Sequence, residues 1–83
     1  MFRVHYFASL REKLGSAGES LEAADDINTV ADLIAVLTRR GGAWNLLADS
    51  REVLVAVDQA VADRDQTLNG DEEVAFFPPM TGG

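Results

Sequence analysis

The sequence predicts an α+β domain, with one main helix packed on one face of a small mixed sheet. Two patterns point there. Val30, Leu33, Ile34 and Leu37 recur at the spacing of a single helical stripe, which is enough to cover one sheet face. Phe2 to Phe7 and Glu73 to Phe77 instead carry branched and aromatic residues in two-residue alternation, the mark of half-buried strands. A chain of 83 residues holds one compact core and no more, so helix and strands must share it.

In the first strand, alternation puts Phe2, Val4 and Tyr6 on the core face and Arg3, His5 and Phe7 on the other. Phe7 is then a large apolar side chain facing away from the core. Ser9-Leu10-Arg11-Glu12 has the spacing of a capping box, and Gly15 can close that short helix. Glu19 to Ala24 reads as a weak second strand with Leu21 and Ala23 inward. Thr29 can cap the main helix, Asp32 stands in its first turn, and Arg39 and Arg40 suit its negative end. Gly41-Gly42 stops it. Trp44, Leu46 and Leu47 follow as a short connection over the core edge. Val53 to Val57 is a third strand, with Val53, Val55 and Val57 on one side and Leu54 and Ala56 on the other. Asp63-Arg64-Asp65 reads as a turn, and Asn69-Gly70-Asp71 as a stronger one, because Asn and Gly tolerate positive φ. It leads into the last strand, where Val74 and Phe76 share one face and Ala75 and Phe77 the other. The order strand, strand, helix, strand, strand fits a β-grasp roll, with the helix on one face of the sheet.

Composition removes several function classes. The absence of cysteine excludes disulfide scaffolds, Cys-ligated zinc, iron–sulfur clusters and thiol nucleophiles. The longest apolar runs, Leu33 to Leu37 and Val53 to Val57, have five residues each, so nothing spans a bilayer or reads as a secretory leader. The cytoplasm is the expected location. Fourteen acidic residues against seven basic ones give a formal charge of −7. A duplex-binding surface needs Lys and Arg in number, so nucleic acid is not expected as a partner. The charge favours basic protein partners through steering, with solubility alone as the plainer explanation.

The side chains offer no catalytic constellation. His5 is the single histidine and reads as a solvated strand residue with no companion metal ligands. Ser9, Ser16, Ser20 and Ser50 lack the nucleophile-elbow setting. Asp25-Asp26 and Asp71-Glu72-Glu73 read as solvated cap and turn carboxylates. Gly41-Gly42 lacks the spacing of a phosphate loop. No metal site is expected.

The C-terminal run Phe76-Phe77-Pro78-Pro79-Met80-Thr81-Gly82-Gly83 differs in kind. Pro78 and Pro79 end the strand, since proline cannot donate to a ladder and fixes φ. The boundary expected is a domain over 1–77 and a flexible, extended tail over 78–83. At ~3.3 Å per residue the tail reaches at most ~20 Å. Gly82-Gly83 has no side chains, so its carboxylate can pass through a channel too narrow for a Cβ. A frayed end is the alternative reading of the same residues.

This tail resembles that of the molybdopterin synthase small-subunit family, ubiquitin-like sulfur carriers. The resemblance covers nearly the whole chain. It includes Val4-His5-Tyr6-Phe7-Ala8 with Arg11-Glu12, Ala56-Val57-Asp58-Gln59, and Asn69-Gly70-Asp71-Glu72 before Val74-Ala75-Phe76-Phe77. A terminal diglycine alone is shared by ubiquitin-like modifiers and the thiamine sulfur carrier; the diproline ahead of it is more specific. Glu73 stands as an extra acidic residue in the turn, expected to alter only its register, and Asp58 stands where many members have Asn.

The resemblance implies that an E1-like adenylyltransferase uses ATP to activate the carboxylate of Gly83, which then receives sulfur from a donor protein as a thiocarboxylate. It implies that the tail, with Gly82, Thr81, Met80 and Pro79, enters the large synthase subunit in a heterotetramer and gives its sulfur to a cyclic pyranopterin precursor. The acid–base groups are then expected on the large subunit, with no cofactor bound by this chain and no catalysis by it alone. Two other roles remain open to the residues: a different thiocarboxylate carrier, serving thiamine or tRNA thiolation, and a ubiquitin-like interaction module whose tail is never activated. Strand alternation independently places Phe7 and Phe77 on the exposed sheet face, with Ala56 and Val61 near them, as a candidate partner-binding patch.

Overall fold

A computed structural model describes residues 1–79 of the chain. Five strands form one mixed sheet, β1 (Phe2–Tyr6), β2 (Gly18–Leu21), β3 (Leu54–Val57), β4 (Ala60–Val61) and β5 (Glu73–Phe77), in the order β2-β1-β5-β3-β4. The first and last strands run parallel at the centre, and every other pairing is antiparallel. This is the α+β, ubiquitin-like β-grasp arrangement expected. Between the strands lie α1 (Ser9–Leu14), the main helix α2 (Val30–Thr38) and a 3-10 helix over Gly42–Ala48. No helix among the described residues is long and apolar enough to cross a membrane.

The core forms where period 3.6 meets period 2. Val30, Leu33, Ile34 and Leu37 of α2 are buried together with Phe2, Val4, Tyr6, Val55, Val57, Val74 and Phe76 from the three central strands. Thr29 caps α2 reciprocally: its hydroxyl accepts the Asp32 N–H at 3.2 Å, and the Asp32 carboxylate accepts the N–H groups of Thr29 and Asn28. Those bonds hold the Asp32 carboxyl below the usual range, the Asn28 amide contributing most. Leu47 of the 3-10 helix is fully buried, so the connection after α2 belongs to the core as well as covering its edge.

Four local expectations are corrected. The second strand is Gly18–Leu21, not Glu19–Ala24, and Ala23 is exposed. Its first residue, Gly18, pairs with His5 at a position where a side chain does not fit: a Cβ would stand 2.7 Å from the Val4 carbonyl oxygen. The predicted capping box at Ser9 is absent, since Ala8 occupies the N-cap and provides no side-chain bond, although Gly15 ends α1 in the left-handed conformation with φ 69°. A fifth strand, β4, was missing from the expected order. It pairs with β3 through a two-residue turn in which Asp58 and Gln59 both have positive φ, 49° and 72°. Such a turn matches the twist of a hairpin, and β4, only Ala60–Val61, is too short to show the alternation that announces a strand. Finally, β5 spans Glu73–Phe77 as its alternation predicts, with Glu73 opposite Arg3, so the turn position given to Glu73 by the family resemblance does not hold.

The turn carboxylate is Glu72. It is buried, contrary to the solvated reading of the acidic run, and it accepts the backbone N–H groups of Asn69, Gly70 and Asp71 at 2.6, 2.9 and 3.1 Å. Burial pushes its pKa up, but the converging amides outweigh that and hold it below the ordinary glutamate value. The bend that feeds β5 into the middle of the sheet is thus tied by one carboxylate.

Candidate functional site

The sheet face turned away from α2 is built in rows. Register places His5, Ala75, Ala56 and Val61 in one line across β1, β5, β3 and β4. The next row joins Phe77 to Leu54, and the Phe7 N–H donates to the Phe76 carbonyl at 3.0 Å, extending the parallel ladder so that Phe7 stands beside Phe77. A groove of about 590 Å³ runs between these residues, lined by Phe7, Phe77, Ala56 and Ala75 with His5 and Glu73 at one end. Phe7 is 50% exposed and Val61 76%, large apolar surfaces for so small a domain.

Of the four residues expected on this patch, Phe7, Phe77 and Ala56 come together in the groove. Val61 lies one strand further along the row and lines the adjoining hollow with Leu54 and Val55 instead. Pro78 and Pro79 are half-buried and leave the sheet directly after Phe77, so the chain departs from the edge of the groove. Met80, Thr81, Gly82 and Gly83, the remaining tail residues expected to act, lie outside the described residues.

The sequence reading missed the polar end of the groove. His5 is not simply solvated: its Nε2 stands 3.2 Å from the Glu73 carboxylate and its ring stacks on Phe7 at 6.1 Å. The only signal that could have found the pair is the parallel register of β1 with β5, which cannot be read from either segment alone.

Behind the face, a second set of polar groups anchors the strand that carries Phe7. The Tyr6 hydroxyl donates to Glu19 at 2.8 Å, and Arg40 donates to both Glu19 oxygens at 2.7 and 2.6 Å. The Arg40 guanidinium lies 4.5 Å over the Trp44 ring, which meets Tyr6 edge-on. Arg40 therefore serves this cluster rather than the end of α2. Its hydrogen bonds depress the Glu19 pKa, and Glu19 raises that of Arg40 in return. Burial, followed by the bond to Glu19, raises the Tyr6 phenol well above its ordinary value, so it remains a proton donor to Glu19.

No cluster of three or more metal-ligating side chains occurs among the described residues. What the arrangement offers chemically is a surface and an exit: an apolar groove with one ionisable end, beside the point where a side-chain-poor tail leaves the sheet.

Comparison with known proteins matches residues 4–83 to the model of the ThiS family. The molybdopterin synthase sulfur carrier subunit of Escherichia coli (strain K12) is 37% identical over 83 residues, covering all of both chains. The protein of the same description from Haemophilus influenzae is 32% identical, again over the full length of both. Among solved structures, SAMP1 from Haloferax volcanii superposes with a TM-score of 0.78 at 25% identity, covering 99% of this chain and 98% of that one. A Pyrococcus furiosus chain described as a candidate molybdopterin converting factor, subunit 1, superposes at 0.71 and 26% identity, covering 95% and 97%.

Proposed function

The chain belongs to the ThiS family, and we propose that within it this protein is the sulfur carrier subunit of a molybdopterin synthase, acting in the cytoplasm. The observation that carries this reading is the end-to-end match with relatives of that description, 37% and 32% identical with no part of either chain left over. The face geometry supports it, because Phe7 and Phe77 flank the exit of the tail.

In this reading Gly83 is the reacting residue. A bare carboxylate is a poor electrophile. An E1-like adenylyltransferase joins it to the AMP moiety of ATP with release of pyrophosphate, creating an acyl-adenylate with a good leaving group. A sulfur nucleophile supplied by a donor protein attacks the acyl carbon, AMP departs, and a thiocarboxylate results. The tail then enters the large synthase subunit, with Met80, Thr81 and Gly82 threaded behind Gly83 and Pro79 setting the stiff exit. The sulfur passes to a cyclic pyranopterin precursor, and water returns the carboxylate. The chain binds no cofactor and supplies no acid–base group; ATP is consumed by the activating enzyme, and catalytic groups reside on the large subunit, in a heterotetramer. Phe7, Phe77 and Ala56, with Val61 beyond them, form the surface on which the large subunit docks. Continuity argues for that occupant: whatever receives the tail must pass over the groove that the tail leaves.

The test is chemical. Incubation with the activating enzyme, ATP and a sulfur donor should raise the intact mass by one oxygen-to-sulfur exchange, and deletion of Gly83 should abolish both the exchange and product formation. Unimpaired sulfur transfer by the Gly83 deletion overturns the assignment.

A further inference from the structure

At the polar end of the groove, His5 of β1 and Glu73 of β5 set an imidazole against a carboxylate, Nε2 to Oε2 3.2 Å. Their side chains are 40% and 32% exposed. The imidazole stacks on Phe7, ring planes 30° apart, so a partner that covers Phe7 and Phe77 covers this pair too. The charges facing His5 are few. On β2 its neighbour is Gly18, which has no side chain, and Ser20 beyond is neutral. Ala75, Ala56 and Val61 complete its row. That leaves Glu73 itself, Arg3 on the same strand opposite Glu73, Glu19 of β2, which shares a hollow with His5 but is held by Tyr6 and Arg40, and Asp58 in the β3–β4 turn, whose carboxylate accepts the Glu73 N–H at 3.0 Å.

Covering the groove removes water from this pair, and its two protonation states respond differently. With a neutral imidazole, docking buries the Glu73 anion with the imidazole as its one side-chain hydrogen bond, in a groove whose other lining is Phe7, Phe77, Ala56, Ala75 and the uncharged Gln59. With an imidazolium, docking buries a hydrogen-bonded pair of no net charge. A buried charge is costly unless it is paired; burial of the imidazole by itself opposes its charge, and the Glu73 carboxylate beside it, stripped of water, outweighs that and favours the second state.

We propose that docking on this face takes up a proton at His5, so that the carrier binds its large subunit more tightly as pH falls through the range in which imidazoles titrate. The inference rests on the docking face assigned above. The sign follows from linkage: the complex holds the His5 proton more firmly than the free chain does, so it binds more protons, and lower pH favours it. Glu73 is the positioning residue for this effect.

The experiment measures the dissociation constant of the full-length carrier for the large subunit of its synthase across this range, for wild type, His5→Phe, Glu73→Gln and Phe77→Ala. The wild-type affinity should be about ten-fold tighter near pH ~6 than near pH ~8, relative to the His5→Phe profile that reports every other titration in the complex. Glu73→Gln should lose the same increment. Calorimetry in buffers of different ionisation enthalpy should record net proton uptake by wild type and less by His5→Phe. Because the chain has a single histidine, its imidazole resonances report directly, and their midpoint should move up on binding. Superimposable wild-type and His5→Phe profiles with Phe77→Ala weakened overturn the proton linkage and leave the docking face standing. Undiminished binding by Phe77→Ala overturns the face, and the linkage with it.

Discussion

Phe76 and Phe77 are neighbours in sequence and opposite in environment. Phe76 is fully buried and stacks on Tyr6, ring centroids 6.0 Å apart, whereas Phe77 lines the outer groove. Truncation should separate them. Phe76→Ala empties a core position and should lower the unfolding free energy by about 3–5 kcal/mol. Phe77→Ala should cost the fold less and weaken binding to the large subunit and to the activating enzyme by about ten-fold or more, as expected when an aromatic anchor worth about 1.4 kcal/mol or more is lost. Urea titration and binding isotherms of the two variants check both halves. Unfolding by Phe77→Ala, with Phe76→Ala merely weakening partner binding, inverts the assignment of faces. The division between these residues was legible in the sequence because side-chain direction in a strand alternates strictly. The Tyr6–Glu19–Arg40–Trp44 cluster was not, because its members sit on different elements and no local period relates Glu19 to Arg40. The His5–Glu73 pair escaped for the same reason: 68 residues separate the partners.

At the scale of elements, α2 was the most legible. Its stripe, its Thr29 cap and its Asp32 partner are all local in sequence, and all are found in the folded chain. The edge strands were the least legible. β2 and β4 are short, lie at the two margins of the sheet, and carry Gly18 and Ala60 where strand preference would ask for branched residues. They are strands because β1 and β3 offer unpaired edges, which is tertiary context rather than propensity. Gly18 illustrates the difference. Its value lies in the missing Cβ, which lets β2 close on the Val4 carbonyl. Gly18→Ala should therefore push β2 outward and destabilise the domain while leaving α2 intact. Amide exchange is the suitable readout: protection should fall in β2 and in the facing bonds of β1, with that of α2 retained. Uniform loss of protection at every element would show that β2 is not a separable edge. The tail was legible as chemistry rather than as structure, since the argument from Pro78, Pro79, Gly82 and Gly83 concerns what those residues permit.

For the whole molecule, the charge of −7 acts on association and on stability in different ways. Association is governed by the summed field, so binding to a basic partner surface should slow as salt is added, and an association rate indifferent to ionic strength would count against such a surface. Stability toward acid is governed instead by the few carboxylates that the fold holds below their ordinary values, among them Glu72 beneath its three amides and Glu19 beneath Arg40. A depressed carboxyl binds its proton less readily in the folded chain than in the unfolded one. Its contribution is therefore fully present above the ordinary value of about 4.3 and is lost as pH falls through the lower, folded value. Glu72→Gln tests one of these contributions. The amide keeps one accepting oxygen, but its NH₂ must face backbone N–H groups that already donate, so part of the nest is left unpaired. At neutral pH the variant should be less stable by about 2 kcal/mol, the scale of hydrogen bonds to a charged group. Toward acid the gap should close, because protonation strips wild type of the same advantage. Urea unfolding of both proteins from neutrality down through the carboxylate range measures that gap directly. A difference that stays constant to the lowest pH would mean that the Glu72 side chain stabilises the turn by its shape and not by its charge.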